Sequence, residues 1–246
     1  MTATVRLLGL DFADLDADAA AALLAARPAD AAFGYLVTPN ADHLVRLARR
    51  PELLPIYRDA SLRLLDSRVV ARLATMLRLP VPRVATGSEV TALLLRRHLP
   101  PGERVTIVGL RAAWLPALVA RCGLAPPAHY DPPLGFAADR TAFARTVEFV
   151  LAHPARFVFL AVGSPQQEML AAAIAATGRA TGVGLCIGAS LEFLAGASRR
   201  APRWMQAAGM EWLFRLGSDP ERLWRRYLID SPAILPLLIR SRMGCD

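Results

Sequence analysis

The chain has 246 residues, of which 54% are apolar, enough to bury a full core in one large α/β domain with room for an appendage. Its formal net charge is +8, every basic residue is an arginine, and residues 196–246 carry 9 of the 29 arginines against 5 of the 21 acids. No apolar run of roughly 18 or more residues is present to span a bilayer, and the start MTATVRLLGLDF has no signal-peptide pattern. Cys122, Cys186 and Cys245 lie far apart without CxxC spacing and fit reduced thiols in a cytoplasm. His43, His98, His129 and His153 are also scattered, so neither a metal site nor a cofactor is expected.

Val5 to Leu10 is a short apolar run, and the segment from Asp11 enters an alanine-rich helix. Asp14, Asp16 and Asp18 show a D-x-D spacing, but acids before a helix are explained by capping and the helix dipole. Phe33 to Thr38 reads as a strand followed at once by a helix. Thr38 and Asn40 therefore sit at a strand's carboxyl end, where open α/β sheets bind ligands. Asn40 has a second reading, as the helix cap. Leu62 to Leu65 is another strand, ended by Asp66 and followed by the helix SRVVARLATMLR. The Asp66 carboxylate is either an N-cap or a general base.

Pro80 to Gly87 is a proline-rich connection carrying Arg83, and Ser88-Glu89 open the next helix. Arg104 to Gly109 is a strong strand, with Gly109-Leu110-Arg111 at its end, but the three-glycine dinucleotide fingerprint is missing. Ala125 to Phe136 is too rich in proline for helix or strand, and Ala138 to His153 returns to helix. Phe157 to Val162 is a buried strand that stops at Gly163-Ser164-Pro165. Ser164 then caps a helix whose first residue is Pro165. A helix start beyond a strand end is an anion site, and Gln166, Gln167 and Glu168 in its first turn are within reach of a ligand; an ordinary βα turn is the alternative. The alternation of strands and helices argues for an α/β fold with a Rossmann-like, mostly parallel sheet and helices on both faces.

A hinge at Gly196 to Pro202 divides a catalytic core, 1–195, from a helical appendage, 196–246, and the core is expected to fold alone. Trp204, Met205, Ala208, Trp212, Leu213 and Leu216 fall on one helical face, and Asp219-Pro220 start a second helix. Apolar helices edged by arginine and carrying tryptophan suit an anionic membrane surface. The other reading packs these helices on the core, with the arginines lining the crevice.

With GSPQQE, GASLEFLAG, RAPRWMQAAGMEWLFRL and RRYL in this order, the chain resembles the WecG/TagA/CpsF family of bacterial glycosyltransferases. The resemblance begins at TPNADHLV and includes DSRVV, TGSEV and PPLGF. It implies transfer of a hexose-type sugar from a UDP-sugar to a polyprenyl-diphosphate-linked saccharide, with inversion. Such enzymes serve surface-polysaccharide biosynthesis as peripheral proteins on the inner face of the cytoplasmic membrane. Carried onto this chain, Asp66 is the catalytic base, and Thr38 and Asn40 belong to the TPN signature of the pocket. Arg83 lies near a position suited to the donor diphosphate, and Gly163 and Gln167 match the signature around the nucleotide. Arg215, Arg222 and Arg225 match arginines of the appendage thought to close over the site. Ser67 and Val69 stand where the family often shows glycines and Glu192 where it shows aspartate, departures that suggest a subgroup resembling the glucosyl-transferring GumM branch. Arginines would then neutralise the leaving diphosphate where a divalent ion does so elsewhere. The expected partners are the UDP-sugar, the lipid-linked acceptor and the membrane surface; no nucleic acid is expected, and a homo-oligomer is left open. A non-catalytic membrane scaffold using the basic helices is the competing class.

Overall fold

The structure is a computed structural model that describes residues 2–197, 201–202, 204–205, 210–218, 220–225 and 231–244. The chain begins with a hairpin, β1 (Thr4–Leu7) and β2 (Leu10–Ala13), paired antiparallel. Its turn, Leu8-Gly9, has positive φ at both positions, 49° and 73°, the backbone that a two-residue hairpin of this twist requires. The second strand corrects the expectation that the chain passes directly into a helix. That helix, α1 (Ala17–Ala25), starts at Asp16, whose side chain accepts the Ala19 N–H at 2.9 Å, as the capping reading requires.

Elements then alternate: β3 (Gly34–Val37), α2 (Ala41–Arg49), α3 (Leu54–Arg58), β4 (Leu62–Arg63), α4 (Arg68–Met76), α5 (Gly87–Leu93), β5 (Val105–Gly109), α6 (Leu115–Cys122), β6 (Ala128–Tyr130), α7 (Arg140–Ala152), β7 (Phe157–Ala161), α8 (Gln166–Ala176), β8 (Val183–Cys186) and α9 (Ser190–Ala195). β3 to β8 form one parallel sheet in the order β4-β3-β8-β7-β5-β6. A parallel bridge from Leu65 to Val84 extends the β4 edge. β6 lies inside the proline-rich segment read as a loop. The three residues Ala128–Tyr130 lie between Pro127 and the Pro132-Pro133 pair, and an edge strand needs partners on one side only.

Strand side chains alternate between two cores, as a sheet covered on both faces demands. Tyr35, Val37, Val158 and Leu160 point into a cluster with α2, α3, α4, α7 and α8. Leu36, Phe157 and Phe159 point into a second cluster with α1, α5, α6 and α9.

Beyond residue 200 the described helices are Glu211–Ser218, Pro220–Arg225 and Ile234–Arg242. Asp219, which the sequence reading made the cap of the second, lies outside the described residues. The last helix packs against α2 and α4, with Ile234 and Leu238 in the first core cluster. Arg242 adds a bond from its Nη1 to the Leu77 carbonyl at 3.0 Å. Part of the 196–246 segment, the helix Ile234–Arg242, is thus packed into the first core cluster.

Candidate active site

The carboxyl ends of the parallel strands form one edge of the sheet, and the chain there bends into helix starts. Thr38 follows β3 and is buried. Asn40 caps α2, its side-chain oxygen accepting the N–H groups of Asp42 at 3.1 Å and His43 at 3.3 Å, so the capping reading of this residue holds.

Asp66 lies beside them. Its N–H donates to the Pro39 carbonyl at 3.0 Å, and its Oδ2 accepts the N–H of Gly87 at 3.1 Å. The cap of α4 is Ser67, whose side chain accepts from Val70, so Asp66 is not that cap. Gly87 is the first residue of α5, which is opened by a reciprocal capping box between Thr86 and Glu89. A Cβ built on Gly87 would stand 2.8 Å from Thr38 Oγ1, so a glycine here is what lets the Thr38 hydroxyl come against the helix start. Arg68 Nη2 meets Glu89 Oε1 at 3.2 Å and ties α4 to α5 on the same side. Gly87 and Thr86 were not singled out from the sequence, although T-G-S-E carried the capping-box signal.

Arg83 is directed elsewhere. Its backbone N–H donates to the Asp14 carboxylate at 2.9 Å, and its side chain, 62% exposed, brings Nη1 within 3.5 Å of Asp16. Arg215 lies on Glu211–Ser218, and Arg222 and Arg225 on Pro220–Arg225. Their side chains lie outside the described part of the structure.

A second group of residues surrounds the end of β7. Gly163 has φ +81°, and no atom crowds its Cα. The expected cap at Ser164 is replaced by a different arrangement. The helix starts at Gln166 with Pro165 in the capping position, the Ser164–Pro165 peptide is cis, and the Ser164 hydroxyl accepts Arg46 Nη1 at 2.7 Å. Arg46 also meets Asp42 at 2.6 Å, and the Tyr57 hydroxyl approaches Ser164 at 3.5 Å. A cavity of about 380 Å³ lies outside this group, lined by Asp42, Val45, Arg46, Arg49, Arg50 and Pro165.

Gln167 and Glu168 point inward rather than toward a ligand, at 3% and 1% exposure. Gln167 Oε1 accepts the Gly188 N–H at 2.8 Å, across to the end of β8, and its Nε2 donates to Glu168 Oε1 at 2.9 Å. Burial pushes the Glu168 carboxyl above the usual carboxylate range, an effect that Gln167, Ser164 and Arg46 offset in part. Burial also raises the Tyr57 hydroxyl and the Cys186 thiol, and a charged Glu168 would raise both further.

Thr38, Asn40, Asp66 and Gly87 thus gather at one end of the edge, and Gly163, Ser164, Gln167 and Gly188 about the strands beside them. From β4 to β7 the edge spans roughly 14 Å at the spacing of neighbouring strands, with the Asp66 carboxylate at one end and the Gly163 turn at the other. The carboxyl edge of an open parallel sheet is where such folds bind extended polar ligands. The model of the glycosyl transferase WecG/TagA/CpsF family matches residues 5–245, nearly the whole chain, and with this arrangement at the carboxyl ends of its strands the protein belongs to that family of glycosyltransferases.

Proposed function

We propose that the protein is an inverting glycosyltransferase that moves a hexose-type sugar from a UDP-sugar to a polyprenyl-diphosphate-linked saccharide in surface-polysaccharide biosynthesis. The observation that carries this reading is Asp66: a carboxylate at the sheet's ligand-binding edge, steadied through one oxygen by Gly87 and released from capping duty by Ser67. In the reaction the acceptor hydroxyl gives its proton to Asp66 while its oxygen forms a bond to the anomeric carbon. The bond from that carbon to the diphosphate oxygen breaks on the opposite face, its electron pair leaves with UDP, and the configuration inverts.

Charge grows on the departing diphosphate, and fixed cations or amide dipoles must meet it. Arg215, Arg222 and Arg225 are proposed for that task. Thr38 and Asn40 line the pocket near the base, Asn40 acting through its Nδ2 because its Oδ1 caps α2. Gly163 gives a ligand close approach to the β7 turn, and Gln167 shapes the pocket from below by holding Gly188. For Arg83 the Asp14 and Asp16 contacts favour a structural part over one at the donor.

The site would work on the membrane surface. Trp204, Leu213, Trp224, Leu235, Ile239 and Met243 are exposed apolar side chains on a segment rich in arginine, a composition that favours an interface with anionic lipids. No helix among the described residues is long and apolar enough to cross a membrane. The test is to incubate the protein with a panel of UDP-sugars and a short lipid-diphosphate acceptor and to weigh the product. A mass gain of one sugar residue on the acceptor supports the reading. Vesicle binding without UDP binding or transfer would favour a non-catalytic scaffold.

A further inference from the structure

We propose that Glu168, which has no surface on the crevice, is a positioning residue: it holds the Gln167 carboxamide in the orientation that the Gly188 N–H requires and, through it, steadies the turn at Gly188. For its kinetic consequence this inference rests on the transferase reading above.

A carboxamide fits its site almost equally well with its oxygen and nitrogen exchanged, so something must choose between the two orientations. Here Gln167 Nε2 donates to Glu168 Oε1 at 2.9 Å, which turns Gln167 Oε1 toward the Gly188 N–H at 2.8 Å. The flipped amide would set an N–H group against the Gly188 N–H and leave both donors buried and unpaired, at a cost that keeps it unpopulated. Gly188 has φ +52° and lies two residues past the end of β8, the strand between β3, which Thr38 follows, and β7, which ends two residues before Gly163. The backbone held by Gln167 is therefore the floor between the two halves of the crevice.

Glu168 stands in this role as a neutral acid. Among the described residues its Oε2 is buried without a partner in hydrogen-bond geometry; the nearby Ser164 hydroxyl favours the charged form in part, but an ionised oxygen there would still carry a large desolvation cost. The groups that face it from the surrounding elements are Arg46 on α2, Tyr57 on α3, Ser164 before α8 and Cys186 on β8. Arg46 is already engaged by Asp42 and Ser164. Tyr57 and Cys186 both keep their protons under the same burial. The dipole at the start of α8 favours charge, but the loss of water outweighs it. A neutral acid can accept at its carbonyl oxygen or donate from its hydroxyl, so the Gly188 N–H, which only donates, selects the Gln167 orientation, and Glu168 holds it by accepting from Nε2.

The experiment compares wild type with Glu168→Gln, which keeps an acceptor, and Glu168→Leu, which fills the space without one. Amide hydrogen exchange at Gly188 should quicken about 10-fold or more in Glu168→Leu and stay near wild type in Glu168→Gln. Glu168→Leu should also raise KM for the sugar nucleotide about 10-fold, with a smaller change in kcat, while Glu168→Gln leaves both near wild type. An infrared band of a protonated carboxyl at neutral pH should be present in wild type and missing in Glu168→Gln. Unchanged Gly188 exchange in Glu168→Leu overturns the proposal, as does a wild-type spectrum without that band. If Glu168→Leu does not fold, the Glu168→Gln spectrum and its Gly188 exchange still decide. Absence of transfer from any sugar nucleotide by wild type would instead remove the transferase reading, and the exchange and infrared measurements would judge Glu168 without it.

Discussion

The Asp66 carboxylate accepts the Gly87 N–H at 3.1 Å, and this bond joins the end of one strand to the first turn of a helix 21 residues further on. With the Asp66 N–H on the Pro39 carbonyl, the acid is pinned from both sides between β3 and α5. Such fixation matters for a base, because proton transfer depends on holding the carboxylate in reach of one hydroxyl. Thr38 shares the arrangement, its hydroxyl lying against the same glycine.

Replacing that glycine should therefore disturb the site more than the fold. The added methyl of Gly87→Ala would stand 2.8 Å from Thr38 Oγ1, so the threonine must rotate away. Transfer should fall about 10-fold, as for loss of one hydrogen-bonded contact, while the urea midpoint changes little. In a double-mutant cycle with Thr38→Ala, the second substitution should add almost nothing, since both remove the same hydroxyl contact. Additive losses would separate the two residues.

The last helix should prove indispensable to stability. Leu238 is 0% exposed and packs in the cluster shared by α2 and α4, the helices that start beside Asn40 and Asp66. Leu238→Ala should cost about 2–5 kcal/mol by urea denaturation. A chain cut after Ala195 should expose this apolar face and lose solubility, contrary to the expectation from sequence that 1–195 folds alone. A soluble, cooperatively unfolding 1–195 fragment would show the packing to be dispensable.

The alternation of strand and helix, the parallel sheet and the end-of-strand positions of Thr38 and Asp66 were legible in the sequence, because apolar runs ending in polar helix starts carry that information locally. The first hairpin was not: its turn uses Leu8-Gly9, and a leucine at positive φ gives no turn signal. The inward direction of Gln167 and Glu168 was hidden as well. The rest of α8, MLAAAIAA, is apolar on every side, so no polar stripe marks which face meets solvent. The burial of Ile234 and Leu238 depends on contacts with α2 and α4, far earlier in the chain, which local pattern does not encode.

Glu168 should make stability depend on pH in a defined direction. Its carboxyl is raised in the fold from an ordinary value of 4.5. The stability it contributes is then fully present below the unfolded-state value and is lost as pH rises through the folded-state one. Glu168→Gln has no proton to lose. In urea titrations from about pH 4 to about pH 8, its stability relative to wild type should therefore rise with pH. A difference that stays flat across this range would mean that the acid is not buried in its neutral form.

The most direct test of the account is Asp66→Asn, whose side-chain oxygen can still accept from Gly87 while its basicity is gone. With wild-type unfolding and UDP-sugar binding, sugar transfer to the lipid-linked acceptor should drop by about 10²–10⁴-fold. Turnover at the wild-type rate would contradict the account and take Asp66 out of the mechanism.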